Sequence, residues 1–208
     1  MNFARPFTVL TPTLDGDVLE VLARADQEYT GRKVTSLVAR GSERGVRDAL
    51  DRLATQGIVI STRAGQAKLY RLNRDHLAAP AVQTLANLRA SLLERLRATV
   101  DSWDRQPVAG VLFGSVARRE ASEDSDLDLL IIRPADCQAD NPKWERQLMD
   151  LQAAVTAWTG NDARVLEYGA DELDSSDHAP DPVIVEAIRD GVAFHGSPDD
   201  LRRMTRRR

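Results

Sequence analysis

Two aspartates, two residues apart at the start of an apolar run, are the side chains of this protein best suited to catalysis. Asp126 and Asp128 lead into residues 129–132, which are all leucine or isoleucine, and such a run predicts a strand. Residues two apart on a strand project from the same face, so the carboxylates lie about 7 Å apart along the backbone. Paired carboxylates on one face require a cation, and their oxygen atoms suit Mg²⁺.

A glycine and a serine interrupt the preceding apolar run. Gly114 and Ser115 follow a strand predicted over residues 108–113 and precede a helix predicted over 116–121. Glycine lets the backbone approach an anion closely, and free N–H groups at the start of a helix bind phosphate. A phosphate cradle that faces a carboxylate pair across a metal ion is the apparatus of phosphoryl or nucleotidyl transfer.

These residues resemble the minimal nucleotidyltransferase domain of the DNA polymerase β-like superfamily. The resemblance covers about residues 105–195 and depends on seven positions at the family's spacing: Gly114, Ser115, Arg118, Ser125, Asp126, Asp128 and Leu129. It implies an α/β domain with a mixed sheet. It also implies Mg²⁺, or Mn²⁺, on the two aspartates, with a nucleoside triphosphate, which we expect to be ATP, held by Gly114, Ser115 and Arg118.

The family's third metal-binding carboxylate is missing from its expected position. In the family, three carboxylates hold two metals, and the third acid lies on a later strand, predicted here over residues 163–168. Alignment by strand position puts Arg164 at that site. Glu167 is the nearest candidate for a third catalytic acid, but on an ideal strand it faces the opposite side, so a bulge would have to re-aim it. Arg119 stands where the family often has glycine.

Two interpretations of activity therefore stay open. In the first, Asp126 and Asp128 bind Mg²⁺, Glu167 or another group is the third acid, and an acceptor hydroxyl attacks the α-phosphate. In the second, Arg164 adds a fixed positive charge, and the domain binds nucleotide without turnover, as a sensor in a transcriptional regulator. A solvated acidic turn over residues 122–126 is the plain alternative. Membership of a toxin–antitoxin pair is a further hypothesis, because minimal nucleotidyltransferases of this kind often occur in such pairs.

The charge of the chain is unevenly divided. The 208 residues have a net charge of −4. Residues 29–74 have ten Lys or Arg against three Asp or Glu, which is a net charge of +7, whereas residues 105–208 have a net charge of −7. Such an asymmetry indicates two units with different partners, and the basic unit is suited to nucleic acid.

The N-terminal elements that position this positive charge are predicted to be three short helices and a hairpin. The helices fall at about residues 15–24, 30–38 and 43–56, and the strands at 58–62 and 68–72, after a predicted edge strand at 7–10. This order resembles the winged helix-turn-helix domain of bacterial regulators and implies double-stranded DNA as a partner. The predicted DNA-binding residues are Arg32, Lys33, Ser42, Arg44, Arg47, Arg63 and Lys68. A protein-interaction module is the alternative.

A long amphipathic helix is predicted between the two units. Leu85, Leu88, Leu92, Leu96 and Val100 recur at helical spacing, which predicts about five to six turns. This helix is either a homodimer contact, since winged helices usually act in pairs on DNA, or a simple spacer.

The predicted architecture is therefore α+β in four segments. A winged helix-turn-helix domain occupies residues 1–75, a connecting helix 76–104, a nucleotidyltransferase domain 105–200 and a basic tail 201–208. No apolar run approaches the ~20 residues that span a bilayer, and the N-terminus has no secretory pattern. The single cysteine, Cys137, fits a reducing cytoplasm, which is the predicted location.

Overall fold

The computed structural model describes residues 1–38, 40–118, 120–173, 181–197 and 199. The chain divides into two compact units, of which the first is Arg5–Leu88 and the second combines Met1–Ala4 with the chain from Arg89 onward. Arg119 and the basic tail predicted over residues 201–208 lie outside the described residues. Among the helices that are described, none has the length and apolar content needed to cross a membrane.

The first unit contains the predicted three helices and hairpin. Its elements are α1 (Leu14–Ala23), β1 (Tyr29–Thr30), α2 (Gly31–Val38), α3 (Glu43–Thr55), β2 (Val59–Ala64), β3 (Ala67–Leu72) and α4 (Ala79–Ala86). The strands form an antiparallel sheet in the order β1-β3-β2. Val46 and Leu50 of α3 are buried with Val18 of α1, because their spacing brings them onto one helix face. Ser42 caps α3, with its hydroxyl accepting from the Gly45 N–H at 3.1 Å.

The structure corrects the prediction for residues 7–10. Instead of an edge strand, the chain forms a 3₁₀ helix over Pro6–Val9. Pro6 at its first position favours a helical turn because the ring fixes φ. The Thr8 hydroxyl donates to the Arg5 carbonyl at 2.8 Å, and Phe7 is buried in the core of the first unit.

The connecting helix is not continuous. α4 ends at Ala86, and α5 (Leu88–Asp101) begins one residue after Asn87, whose φ of −107° and ψ of 15° depart from helical values. The predicted connector over residues 76–104 is therefore two helices, which belong to different units apart from Leu88. The homodimer contact stays a prediction.

The second unit is a mixed four-stranded sheet with helices. After α5 its elements are β4 (Ala109–Phe113), α6 (Gly114–Arg118), β5 (Leu127–Arg133), α7 (Pro142–Thr159), β6 (Ala163–Gly169), α8 (Ala170–Leu173), α9 (Pro182–Asp190) and β7 (Val192–His195). The strand order is β6-β5-β4-β7. β5 and β6 are parallel, and the other pairs are antiparallel. α6 starts two residues before the predicted helix and ends at Arg118.

Both faces of this sheet are covered, which explains why β4 and β5 are apolar throughout. On one face, Val111 and Leu130 are buried with Ile184 of α9. On the other face, the fully buried Ile131 pairs in register with Glu167 of β6, which is hydrogen-bonded to Trp144 of α7. Strands buried on both sides read as unbroken hydrophobic runs.

The register of the sheet gathers the candidate residues at one edge. Phe113 pairs with Asp128 across β4 and β5, and Asp128 pairs with Arg164 across β5 and β6. Because β4 runs antiparallel to the other two strands, its end meets their beginnings. Gly114, which follows Phe113 directly, therefore lies beside Asp128.

We predict that two register-paired leucines of this sheet differ strongly in their contribution to stability. Leu130 is fully buried, whereas its partner on the edge strand, Leu166, is 36% exposed. Leu130→Ala should lower the free energy of unfolding by about 2–5 kcal/mol through lost burial and a cavity. Leu166→Ala should cost less than about 1 kcal/mol. Denaturant unfolding followed by tryptophan fluorescence measures both, because Trp103, Trp144 and Trp158 all belong to this unit. Equal losses would contradict the described packing.

Candidate functional site

The Asp128 carboxylate lies directly against the backbone of Gly114. Gly114 has a φ of +72°, and a Cβ atom built there would be 2.5 Å from Asp128 Oδ2. Glycine is therefore required at this position for two reasons. The backbone is left-handed, and the carboxylate occupies the space that a Cβ atom would need. Ser115 follows in the same turn and is half-buried. The glycine–serine turn and the acid, which lie 14 residues apart along the chain, thus form one local structure.

Asp128 lies in a crowded electrostatic environment. Burial raises the pKa of its carboxyl above the ordinary value, because the charged form loses hydration. Arg164 opposes this shift, whereas Asp126 and Glu186 add to it, and Arg118 opposes it more weakly. The five groups are close enough to influence one another, so a charged ligand at this edge of the sheet would act on all of them.

Asp126 forms an ion pair with Arg164. The Arg164 Nη2 atom is 2.6 Å from Asp126 Oδ2, and the two side chains are 68% and 28% exposed. Arg164 is also the register partner of Asp128. The guanidinium of Arg164 therefore lies against Asp126, at the strand position where the family resemblance implies a third carboxylate.

Arg118 is held by acidic side chains. Its Nε donates to Glu120 Oε2 at 2.9 Å, and its Nη1 donates to Glu186 Oε1 of α9. Asp190 Oδ2 lies 3.9 Å from the same Nη1. The hydrogen bonds that Arg118 donates to Glu120 and Glu186 raise its pKa above the ordinary value. The guanidinium is therefore fixed near the glycine–serine turn.

The catalytic role predicted for Glu167 does not fit the structure. Glu167 pairs with Ile131 in the sheet, so it lies on the face opposite Asp128. Its Oε1 accepts from Arg133 Nε at 2.7 Å and from Trp144 Nε1 at 2.9 Å. Regular register along β6 leaves no bulge to turn it round. Glu167 neutralises the buried Arg133 and anchors α7.

The donor set suits one divalent cation. Asp126 and Asp128 offer carboxylate oxygens from one strand face, which Mg²⁺ or Mn²⁺ prefers. Among the described residues, no group of three or more His, Cys, Asp or Glu side chains is arranged to hold a metal. The remaining ligands of a cation here would be water and phosphate oxygens, which is usual for Mg²⁺.

Two residues of the site region were not predicted from the sequence. Asn161 is buried, and its Nδ2 donates to the carbonyls of Ser125 at 2.8 Å and Glu123 at 3.3 Å. It therefore fixes the loop that leads into Asp126. Glu186, which holds Arg118, lies on a helix 68 residues further along the chain. An asparagine after a helix reads as an ordinary helix end, and an acid on an amphipathic helix reads as surface, so neither residue carried a signal.

The predicted DNA-binding residues of the first unit fall into two groups. Some are engaged by neighbours: the Ser42 hydroxyl caps α3, and ion pairs join Arg47 to Glu43 at 2.8 Å, Arg44 to Asp48 at 4.0 Å and Lys68 to Asp51 at 3.3 Å. Others are exposed and make no ion pair with the residues that the structure describes: Arg32, Lys33 and Arg63. The freely available positive charge is therefore on α2 and the hairpin.

Residues 93–185 match the family model of the nucleotidyltransferase domain. The matched range includes β4, the glycine–serine turn, β5 and β6. It therefore includes Gly114, Asp126, Asp128 and Arg164. The resemblance of the motifs to a nucleotidyltransferase domain is therefore confirmed for residues 93–185. No curated protein sequence matches the chain significantly.

Several solved structures are similar to about half of the chain. A toxin–antitoxin structure with AMP-PNP is 15% identical over 54% of this chain and 80% of that chain, with a TM-score of 0.40. The MntA–HepT toxin–antitoxin structure is 14% identical over 56% and 80%, with a TM-score of 0.37. A tri-AMPylated HEPN toxin of Shewanella oneidensis in complex with the MNT antitoxin is 13% identical over the same shares, also at 0.37.

We predict that Gly114→Ala is more damaging than the same change at another glycine with the same backbone. Gly160 has a φ of +71° and open space around its Cβ position, so Gly160→Ala should cost only the left-handed penalty of about 1–2 kcal/mol. Gly114→Ala should cost more, because the new methyl meets Asp128. Denaturant unfolding of both variants measures the difference.

A second comparison isolates the contact. In an Asp128→Ala background, Gly114→Ala should cost no more than Gly160→Ala, because the clashing oxygen is gone. A Gly114 penalty that stays unchanged in that background would contradict the described contact.

Proposed function

We propose that this domain binds a nucleoside triphosphate together with Mg²⁺ and transfers the nucleotidyl group to a hydroxyl acceptor. The observation that carries the proposal is the packing of Asp128 against the Gly114–Ser115 turn, with Asp126 on the same strand face. This geometry brings a carboxylate ligand for a cation next to backbone that a phosphate can approach. The family match over residues 93–185 supports the same reaction class.

Each residue has a defined part in this proposal. Asp126 and Asp128 would hold the cation, and a cation held there would supply neutralisation of phosphate charge. Gly114 and Ser115 contact the phosphates through the turn, and Arg118 adds positive charge beside it. Glu186 keeps Arg118 in place.

The chemical step is a substitution at the α-phosphorus. The acceptor oxygen, on a protein side chain or a nucleic-acid end, bonds to that phosphorus. The bond from the phosphorus to the oxygen that bridges the α- and β-phosphates breaks, and pyrophosphate leaves with the bonding electrons. The hydroxyl proton passes to the solvent that reaches Asp126, whose side chain is 28% exposed. ATP is the nucleotide that we propose.

One observation favours a second function for the same site. The ion pair between Arg164 and Asp126 places a positive charge where an acid is expected. If this charge prevents activation of the acceptor, the domain binds nucleotide without turnover and acts as a sensor. The two functions share nucleotide binding and differ in whether the nucleotidyl group is transferred to an acceptor, which can be measured.

For the transfer function, we predict that label from ATP marked at the α-phosphate moves to an acceptor in cell extract with Mg²⁺ or Mn²⁺. Label at the γ-phosphate should not move, because it leaves with pyrophosphate. Asp128→Ala should lower transfer at least about a hundredfold, since it removes charge stabilisation at the reacting phosphate. Asp150→Ala is the matched control, because Asp150 is an exposed aspartate of α7 paired with Arg146.

The outcome separates the two functions. Nucleotide binding without movement of either label, measured by equilibrium dialysis, would favour the sensor. Equal transfer by wild type and Asp128→Ala would refute the proposed site.

We also propose that the first unit is a winged helix-turn-helix domain that binds double-stranded DNA. The order of α1, α2, α3 and the β2–β3 hairpin supports this, as does the net charge of +7 over residues 29–74. α3 itself is balanced, with three arginines and three acids. Arg32, Lys33 and Arg63 therefore supply the phosphate contacts. Arg44 and Arg47 can contact bases after leaving their acidic partners.

We predict that the combined variant Arg32→Ala, Lys33→Ala and Arg63→Ala binds DNA more weakly and with a shallower salt dependence. Each phosphate contact contributes about 0.9 to the slope of log affinity against log salt, so the slope should fall by about two to three. Fluorescence anisotropy on duplex DNA over a salt series measures it.

The control removes three cations that already have acidic partners, Arg52, Arg71 and Arg74. This triple alanine variant should change the slope by less than about one. Equal effects of the two triples, or no DNA affinity at low salt, would overturn the proposed surface.

A further inference from the structure

We infer that Arg164 acts as a built-in cation of the candidate active site and limits this site to a single divalent metal ion. The inference rests on the proposed function, because it concerns the same aspartates. Arg164 belongs to β6, across the sheet from Asp128, and its guanidinium is in contact with Asp126.

The charges at this edge of the sheet support the inference. Asp126 and Asp128 carry two negative charges when ionised, and Arg164 cancels one of them. The remaining charge is balanced by one divalent ion that shares phosphate oxygens with a nucleotide. A second divalent ion would have to displace the guanidinium from Asp126 and would find no third carboxylate among the described residues.

The neighbouring charges change this balance less than Arg164 does. Arg118 is paired with Glu120, Glu186 and Asp190, and it acts on Asp128 more weakly than Arg164. Glu167, on the same strand as Arg164, lies on the opposite face and is paired with Arg133. Arg164 is therefore the cation whose removal most changes the charge that a metal ion meets.

The position of Arg164 also makes it replaceable without loss of the fold. Its side chain is 68% exposed, and β6 is an edge strand of the sheet. An acid at this position would give three carboxylates at one edge, which can hold two divalent ions. A neutral side chain would leave the aspartate pair with its full charge for one ion.

The test is a titration of the full chain with Mn²⁺ alone, with the free ion followed by electron paramagnetic resonance. The wild type should bind no more than one Mn²⁺ per chain. Arg164→Asp should bind two. Arg164→Met should bind one, about tenfold more tightly, because a positive charge about 6 Å from a divalent ion costs roughly that factor even in water.

Two controls accompany the titration. Arg164→Lys keeps the charge and should behave as the wild type. Arg146→Met removes an exposed arginine that is paired with Asp150 on α7, and it should leave Mn²⁺ binding unchanged. Thermal unfolding of each variant verifies that the fold is intact.

The outcomes distinguish this inference from the proposed function. A wild type that binds two Mn²⁺, or an Arg164→Met variant that binds no more tightly than the wild type, would overturn the inference and leave the proposed function standing. Binding by the Arg164 variants alone would support the inference but count against Mg²⁺ binding by the wild type. Absence of Mn²⁺ binding in every variant would overturn both.

Discussion

The contact between the Asp128 carboxylate and the Gly114 backbone is the interaction on which the candidate site depends. It exists because β4 and β5 are antiparallel and pair Phe113 with Asp128, so the residue after Phe113 must lie beside the acid. A slip of one residue would turn Asp128 to the other face of the sheet and away from Gly114. The register of these buried strands therefore determines where the charged groups meet.

Around this contact, the site is built from alternating charges rather than from acids alone. Arg164 faces Asp126, and Arg118 faces Glu186. Such pairs are only partly buried, so they hold side chains in position more than they add stability. The presence of a guanidinium beside the aspartates distinguishes this domain from the three-carboxylate arrangement of the superfamily that its motifs resemble. The positive charge of Arg164 bears on two properties of the site, the number of metal ions that it binds and whether it turns over the nucleotide.

The first unit shows why a count of charges along the chain is an incomplete guide to a surface. The excess of ten basic residues over three acids in residues 29–74 predicts attraction to phosphate. In the folded unit, all three of those acids lie on α3 and pair with arginines or a lysine that the prediction assigned to DNA. The charge that is free to meet a polyanion is thus displaced from α3 to α2 and the hairpin, at Arg32, Lys33 and Arg63.

The amino-acid sequence by itself predicted most of the helices and strands and brought Gly114–Ser115 together with Asp126 and Asp128. These predictions depend on the local spacing of apolar residues, which acts over a few positions along the chain. The mixed sheet was predicted only through the resemblance of the motifs to a known family. Only the tertiary structure decided the face of the sheet on which Glu167 lies and the ion pair of Arg164 with Asp126. It also decided the ion pair of Glu186 with Arg118 and the hydrogen bond of Asn161 to the Ser125 carbonyl. Each of these depends on which strands and helices become neighbours over tens of residues, and local patterns do not encode that proximity. The 3₁₀ helix at Pro6–Val9 combines a local cause, the fixed φ of Pro6, with a tertiary one, the burial of Phe7 in the core of the first unit.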